Sequence, residues 1–191
     1  LVEHLVIRDR AASIETIGAS AKSLHERGGG RGVGVMGMSF AGGLALLAAT
    51  DPRFASDIGF VVAIGAQHDM GRVLRFFATN EVEWPDGTKR PLAAHPYGAL
   101  VLIYSHLERV VSPEEAPIAR EAIRLWLWEQ TEASRARLEE LPPATREKIL
   151  ALCEGKGDVP ALVTAIARDE AAVAAVSPAG HLGALRAPVF L

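Results

Sequence analysis

The amino-acid sequence predicts an α/β fold with parallel central strands and a helical insertion, and three observations carry that prediction. Two short apolar runs, Gly32 to Met36 and Ile58 to Ile64, have the length of strands and are bounded by turn signals. A helical segment precedes each of them, and the order helix, strand, helix, strand calls for parallel strands joined by crossovers. Between Gln67 and Ser177 the periodic segments are all helical, and strand character returns only at Ala187 to Leu191.

From Asp9 to Arg27 the apolar residues Ile14, Ile17, Ala21 and Leu24 recur at helical spacing, and Gly28-Gly29-Gly30 stops that surface helix. In the run that follows, a bulky residue alternates with glycine as far as Gly37, which reads as a strand buried on both faces. Phe40 to Thr50 contains mainly Ala, Gly and Leu, a thin helix able to lie close on a sheet, and Asp51-Pro52 ends it. Ile58 to Ile64 is again apolar on both faces.

Within the insertion, Met70, Val73, Leu74 and Phe77 form one helical stripe and Leu100, Val101, Tyr104 and Leu107 another, with a polar loop at Trp84-Pro85-Asp86-Gly87 between them. Ser112-Pro113-Glu114-Glu115 starts a long helix, with Ser112 as N-cap, Pro113 at the first helical position and Glu115 closing a capping box. That helix carries Ile118, Ala122, Leu125 and Trp126. Pro142-Pro143 and Glu154-Gly155-Lys156-Gly157 punctuate the remainder before an Ala-rich helix that begins near Asp158-Val159-Pro160. The expected organisation is a core over residues 1–66, a helical cap over 67–177 and a return to the core over 178–191.

Composition narrows the function classes. The chain has 191 residues, a 49% apolar fraction and a formal net charge of −3, with basic residues spread among acidic ones, so it is expected to be a soluble globular protein with no polyanion partner. Its longest apolar stretches fall well short of the ~20 residues that span a bilayer. Cys153 is the single cysteine and has no partner for a disulfide or a structural zinc site, which leads us to expect the reducing environment of the cytoplasm. No secretory signal is visible at the start. Leu1 is not Met and Leu191 closes the apolar run Pro188-Val189-Phe190-Leu191, so both ends read as cut.

The chemistry is expected at Gly37-Met38-Ser39-Phe40-Ala41-Gly42, where a strand turns sharply into a helix. Such a turn forces the serine into a strained conformation, brings the residues two before and two after it together, and requires them to be small. Gly37 and Ala41 meet that demand, and Gly42 and Gly43 leave the helix start uncrowded. Ser39 then stands at a helix N-terminus, with the Phe40 backbone N–H aimed at a developing oxyanion.

The segment Val33 to Asp51, with its V-G-V-M-G-M-S-F-A-G-G core, resembles the nucleophile segment of the α/β-hydrolase family. Ser177-Pro178, Leu182, Leu185 and Ala187 to Leu191 resemble the approach to that family's acid-bearing strand. The resemblance implies a partial hydrolase-type parallel sheet with an inserted cap, Ser39 as nucleophile and Phe40 as one oxyanion donor. It further implies a serine hydrolase acting on an ester, thioester or amide of a small-molecule substrate through an acyl-enzyme, without cofactor or metal. The family's second oxyanion donor lies in an earlier loop, and its acid and histidine come later in chain order, so these are expected outside the 191 residues and the chain is expected to be inactive alone.

Other readings compete with this one. Ser39 as an ordinary helix N-cap is the plainest, although a cap does not need small residues on both sides. Gly32-Val33-Gly34-Val35-Met36-Gly37 matches the dinucleotide pattern G-x-G-x-x-G, with Asp57 about twenty residues beyond. That pattern belongs in the turn after a strand, whereas here the glycines are the strand, and Asp57 precedes the next one. A non-catalytic binding member of the hydrolase fold is the third alternative. His68-Asp69 follows the second strand, either as a pocket histidine with a displaced triad acid or, as the stronger reading, with Asp69 capping the helix from Met70. His95, His106 and His181 are isolated and lack metal-ligand spacing. Trp126 and Trp128 cannot share a helix face, so one belongs to the core and the other to a pocket or partner contact. Cys153 reads as a small buried apolar residue.

Overall fold

The computed structural model describes residues 10–191. In chain order the elements are α1 (Arg10–Arg27), β1 (Val33–Met38), α2 (Phe40–Thr50), β2 (Ile58–Ile64) and α3 (Met70–Thr79). A short hairpin follows, β3 (Glu81–Glu83) and β4 (Lys89–Pro91). Then come α4 (Pro96–Ser105), α5 (Ala116–Leu127), α6 (Thr131–Leu138), α7 (Pro143–Cys153), α8 (Val159–Ala167), α9 (Glu170–Ala175) and β5 (Val189–Phe190). The fold is α/β, as the sequence predicts. Two compact units divide the described residues, one formed by 10–73 and 170–191 and the other by 74–169. The expected boundaries at 66/67 and 177/178 thus stand outside the observed ones at both flanks.

The first unit is a three-stranded parallel sheet in the order β1-β2-β5, with β2 at its centre. Val35 lies opposite Val61 and Met38 opposite Ile64, while Val61 lies opposite Val189. Helices α1 and α2 cover one face, where Ile14, Ala21, Leu47, Phe54, Val61 and Ala63 form the core. Helix α2 is buried continuously from Gly42 to Ala49 because its small residues let it lie close on the strands. Leu182, Leu185 and Val189 pack against the same core.

The other face of this sheet is open within its unit, which corrects the expectation of strands buried on both sides. Met36 and Met38 are 67% and 63% exposed, and Phe60, Ile64 and Phe190 are exposed beside them. The alternation follows the strand period of two: Val33, Val35 and Gly37 turn inward, Gly34, Met36 and Met38 outward. Both helices that the sheet segments supply lie on the inner side, so apolar residues on the outer side gain no cover from them. Phe60 and Phe190 pack edge to face there, ring centroids 6.0 Å apart.

The second unit is helical around Leu100, Ile103, Leu107, Ile123, Leu138 and Ile149. The Ser112 box forms as expected: the Ser112 N–H donates to Glu115 Oε2 at 3.1 Å and the Glu115 N–H to Ser112 Oγ at 3.4 Å. Residues 113–115 make a turn, however, and regular helix begins only at Ala116. The helix contains Ile118, Ala122, Leu125 and Trp126, as expected, and ends at Leu127. Glu129 takes φ +61 and reverses the chain into α6, whose buried Ser134 donates Oγ to the Ala122 carbonyl at 2.7 Å. Asp158 caps α8 by accepting from the Ala161 N–H at 3.2 Å, and the Ala-rich segment breaks at Arg168-Asp169 before α9. The loop around Trp84 is the tip of the β3–β4 hairpin, which sequence periodicity does not reveal because both strands are exposed and highly charged. Among the described residues no helix is long and apolar enough to cross a membrane.

Candidate active site

Ser39 sits alone between β1 and α2, at φ +52 and ψ −126. A positive φ with this ψ is a conformation that non-glycine residues adopt at a cost of order 1–3 kcal/mol and keep only where the surroundings enforce it. Here the enforcement is visible. The Ser39 N–H donates to the Ile64 carbonyl at the end of β2, 2.8 Å away, and the Ser39 carbonyl accepts from the Gly42 N–H at 3.1 Å. An N-cap serine has extended backbone and accepts an amide hydrogen bond on its hydroxyl. Ser39 has neither feature: its side chain makes no capping hydrogen bond, and the residue is exposed.

The small residues around it are explained one by one. A Cβ on Gly37 would lie 2.4 Å from the Ala41 carbonyl oxygen and 2.6 Å from the Gly42 nitrogen, both backbone atoms with nowhere to go. Ala41 contributes that crowding through its backbone, while its residue is exposed, which is why alanine serves where the motif has glycine. A Cβ on Gly42 would meet the Ala66 Cβ at 2.6 Å, and one on Gly43 would meet the Gln67 Nε2 at 2.4 Å. The first turn of α2 is therefore pressed against the loop that leaves β2.

Phe40 opens α2, where a backbone N–H has no intrahelical acceptor, and no acidic residue stands in that first turn. Ser39 thus immediately precedes the positive end of the helix, a setting that favours developing negative charge.

His68 and Asp69 lie at the carboxyl end of β2, the same end of the sheet as Ser39. Asp69 behaves as a cap: its Oδ1 accepts from the Arg72 N–H at 3.3 Å. His68 is exposed and its carbonyl accepts from the Ala179 N–H at 2.9 Å. Two neighbours, read from the sequence only as segment ends, make contacts that it did not reveal. Ser177, buried, accepts on Oγ from the Met70 N–H at 2.9 Å, and Gln67 Nε2 donates to the Val176 carbonyl at 2.9 Å. The paired glycines 42 and 43 were the available signal that something lies close against this helix.

The remaining candidates fall elsewhere. Gly32 packs on the Gly59 backbone and Gly34 on the Phe60 ring, both beside or within β1, so the G-x-G-x-x-G match is a strand and not a strand-to-helix turn. Asp57 precedes β2 and faces His25, Nε2 to Oδ1 3.9 Å. His95 caps α4 by accepting from the Tyr97 N–H, His106 ends that helix, and His181 precedes a 3-10 turn. Trp126 packs on the helical core, and Trp128 is exposed with the Arg124 guanidinium over its ring. Cys153 is buried, and burial pushes its thiol up to about 12. No group of three or more potential metal-ligating side chains occurs among the described residues. Comparison with protein-family models, with curated proteins and with solved structures finds no match to this chain.

Proposed function

We propose that the chain carries the nucleophile of an α/β-hydrolase-type serine hydrolase, acting on an ester, thioester or amide through an acyl-enzyme on Ser39. One observation carries the reading: Ser39 holds a left-handed, strained backbone at a strand-to-helix turn without doing the work of a helix cap. Strain of this kind costs stability, and presenting a hydroxyl at the N-terminus of a helix is a use that accounts for it.

In this mechanism Ser39 Oγ adds to the carbonyl carbon of the substrate while a general base takes its proton. The carbonyl oxygen gains the negative charge and meets the Phe40 N–H. Collapse of the adduct breaks the bond to the alcohol, thiol or amine, which leaves with the proton returned by the base, and water then releases the acid by the same steps in reverse. This chemistry needs no cofactor. The family resemblance assigns the base and its acid partner to later segments in chain order. Asp69 is already engaged as the cap of α3.

Labelling with a fluorophosphonate probe, on the protein as its cells make it, tests the reading. Phosphonylation mapped to Ser39 and abolished by Ser39→Ala supports it. Intact folding without labelling favours a non-catalytic member of the fold, and retention of a dinucleotide would favour the dinucleotide-binding reading of Gly32, Gly34 and Gly37.

A further inference from the structure

We propose that Gln67 is a positioning residue for the nucleophile turn, acting through Gly43. Its consequence for chemistry rests on the hydrolase reading; its consequence for the geometry of the turn does not. The side-chain amide of Gln67 lies on the bare backbone of Gly43 in the first turn of α2: a Cβ there would fall 2.4 Å from Nε2, 2.8 Å from Cδ and 3.2 Å from the Gln67 carbonyl oxygen. Its neighbour Ala66 fills the space beside Gly42 in the same way. The turn is thus held from two sides, by the Ile64 carbonyl that accepts from the Ser39 N–H and by the loop immediately after it.

The amide is itself pinned. Nε2 donates to the Val176 carbonyl at 2.9 Å, and alongside it the Met70 N–H donates to Ser177 Oγ and the Ala179 N–H to the His68 carbonyl, each at 2.9 Å. These three bonds clasp residues 67–70 to 176–179, so the amide rests on a fixed support. Gln67 Oε1 is buried and has no hydrogen-bond partner among the described residues. An apolar side chain of the same length would bury no unpaired Oε1 but would take its donor from the Val176 carbonyl, so the glutamine exchanges one unmet acceptor for another. An amide held at one end and set close against the bare backbone of a glycine fixes how α2 begins, and with it the direction of the Ser39 hydroxyl relative to the Phe40 N–H.

Four variants test this: Gln67→Ala, Gln67→Met, Gly43→Ala and the double variant Gly43→Ala/Gln67→Ala. The first readout is amide hydrogen exchange at Ser39 and Gly42 in the 191-residue chain, with urea unfolding as the control for overall stability. The second is the rate of fluorophosphonate labelling at Ser39 in the protein as its cells make it. Gln67→Ala should speed exchange at both amides by about tenfold, and slow labelling comparably, without a matching change across the sheet. Gln67→Met, which keeps the contact with Gly43 and loses the bond to Val176, should lie between wild type and Gln67→Ala. Gly43→Ala should disturb the turn although alanine is the better helix former, and the double variant should lie closer to wild type than either single one. If Gln67→Met is as disturbed as Gln67→Ala, or if the two single effects simply add, Gln67 only clasps Val176 and the proposal is wrong. Should Gly43→Ala not fold, the contrast between Gln67→Ala and Gln67→Met decides alone. Absence of labelling in the wild type would end the hydrolase reading, and the exchange rates would still decide the role of Gln67.

Discussion

Gly37 and Ala41 touch across the turn at Ser39: the missing side chain of the first leaves room for the backbone carbonyl of the second, which would stand 2.4 Å from a Cβ. This contact closes the turn that gives Ser39 its positive φ. Because the obstructing atoms are backbone, neither a rotamer change nor a shift of one side chain can relieve a larger residue.

Gly37→Ala should therefore destabilise the chain by about 2–3 kcal/mol, toward the upper end of overpacking effects, and loosen the turn. Ala41→Gly changes only an exposed methyl and should cost no more than the roughly 0.5–1 kcal/mol of glycine in a helix. Urea unfolding of the two variants measures the contrast. Equal costs would mean that the close approach in the turn is not what demands a small residue at 37.

Cys153 lies in the core of the helical unit, where burial raises its thiol to about 12 from an ordinary value near 9. The unfolded thiol ionises first, so the native state keeps the proton longer. Its contribution is fully present below pH 9 and is lost as pH rises toward 12, at most about 1.4 kcal/mol per pH unit. Cys153→Ala removes this dependence and adds a pH-independent cavity cost of about 1 kcal/mol. The stability curves of wild type and variant should converge as the solution becomes alkaline. Curves that stay parallel from pH 8 to 11 would contradict the burial argument.

The strained turn at Ser39 was legible in the sequence because backbone crowding leaves a local trace: small residues at fixed offsets from Ser39 between an apolar run and a helix. Caps were legible for the same reason, since Ser112 with Glu115 and Asp158 act within a few residues of themselves. Relationships between distant segments left no such trace. Gln67 meets Gly43 and Val176 through the fold, and nothing in its neighbours' identities announces it. The open sheet face was missed because Met36 and Phe60 look as apolar as Val35 and Val61, and strand composition does not tell which side receives the helices.

That difference between faces is measurable at adjacent positions. Val61 is fully buried against α1 and α2, whereas Met36 points away from them and is mostly exposed. Val61→Lys buries a cation without a partner and should unfold the chain or cost several kcal/mol. Met36→Lys should leave stability within about 0.5 kcal/mol, as surface changes generally do. Comparable losses in both variants would show that the outer face is covered in solution.

The strain at Ser39 makes a prediction whose sign separates the two readings of this residue. At an ordinary N-cap, replacing serine by alanine costs about 1 kcal/mol and replacing it by glycine a few tenths, because the capping hydrogen bond is lost. Ser39 makes no such bond and holds φ +52, ψ −126. Ser39→Ala keeps the Cβ and the strain, so stability should hardly change. Ser39→Gly removes the Cβ and recovers strain of order 1–3 kcal/mol, against roughly 0.5–1 kcal/mol of added unfolded-state entropy. The net result is a variant about 1 kcal/mol more stable than wild type and unable to be phosphonylated, a gain in stability obtained by deleting the proposed nucleophile. Urea midpoints should rank Ser39→Gly above wild type, with Ser39→Ala beside wild type. The reverse ranking, wild type above both, would identify Ser39 as a cap after all and remove the observation on which the hydrolase reading stands.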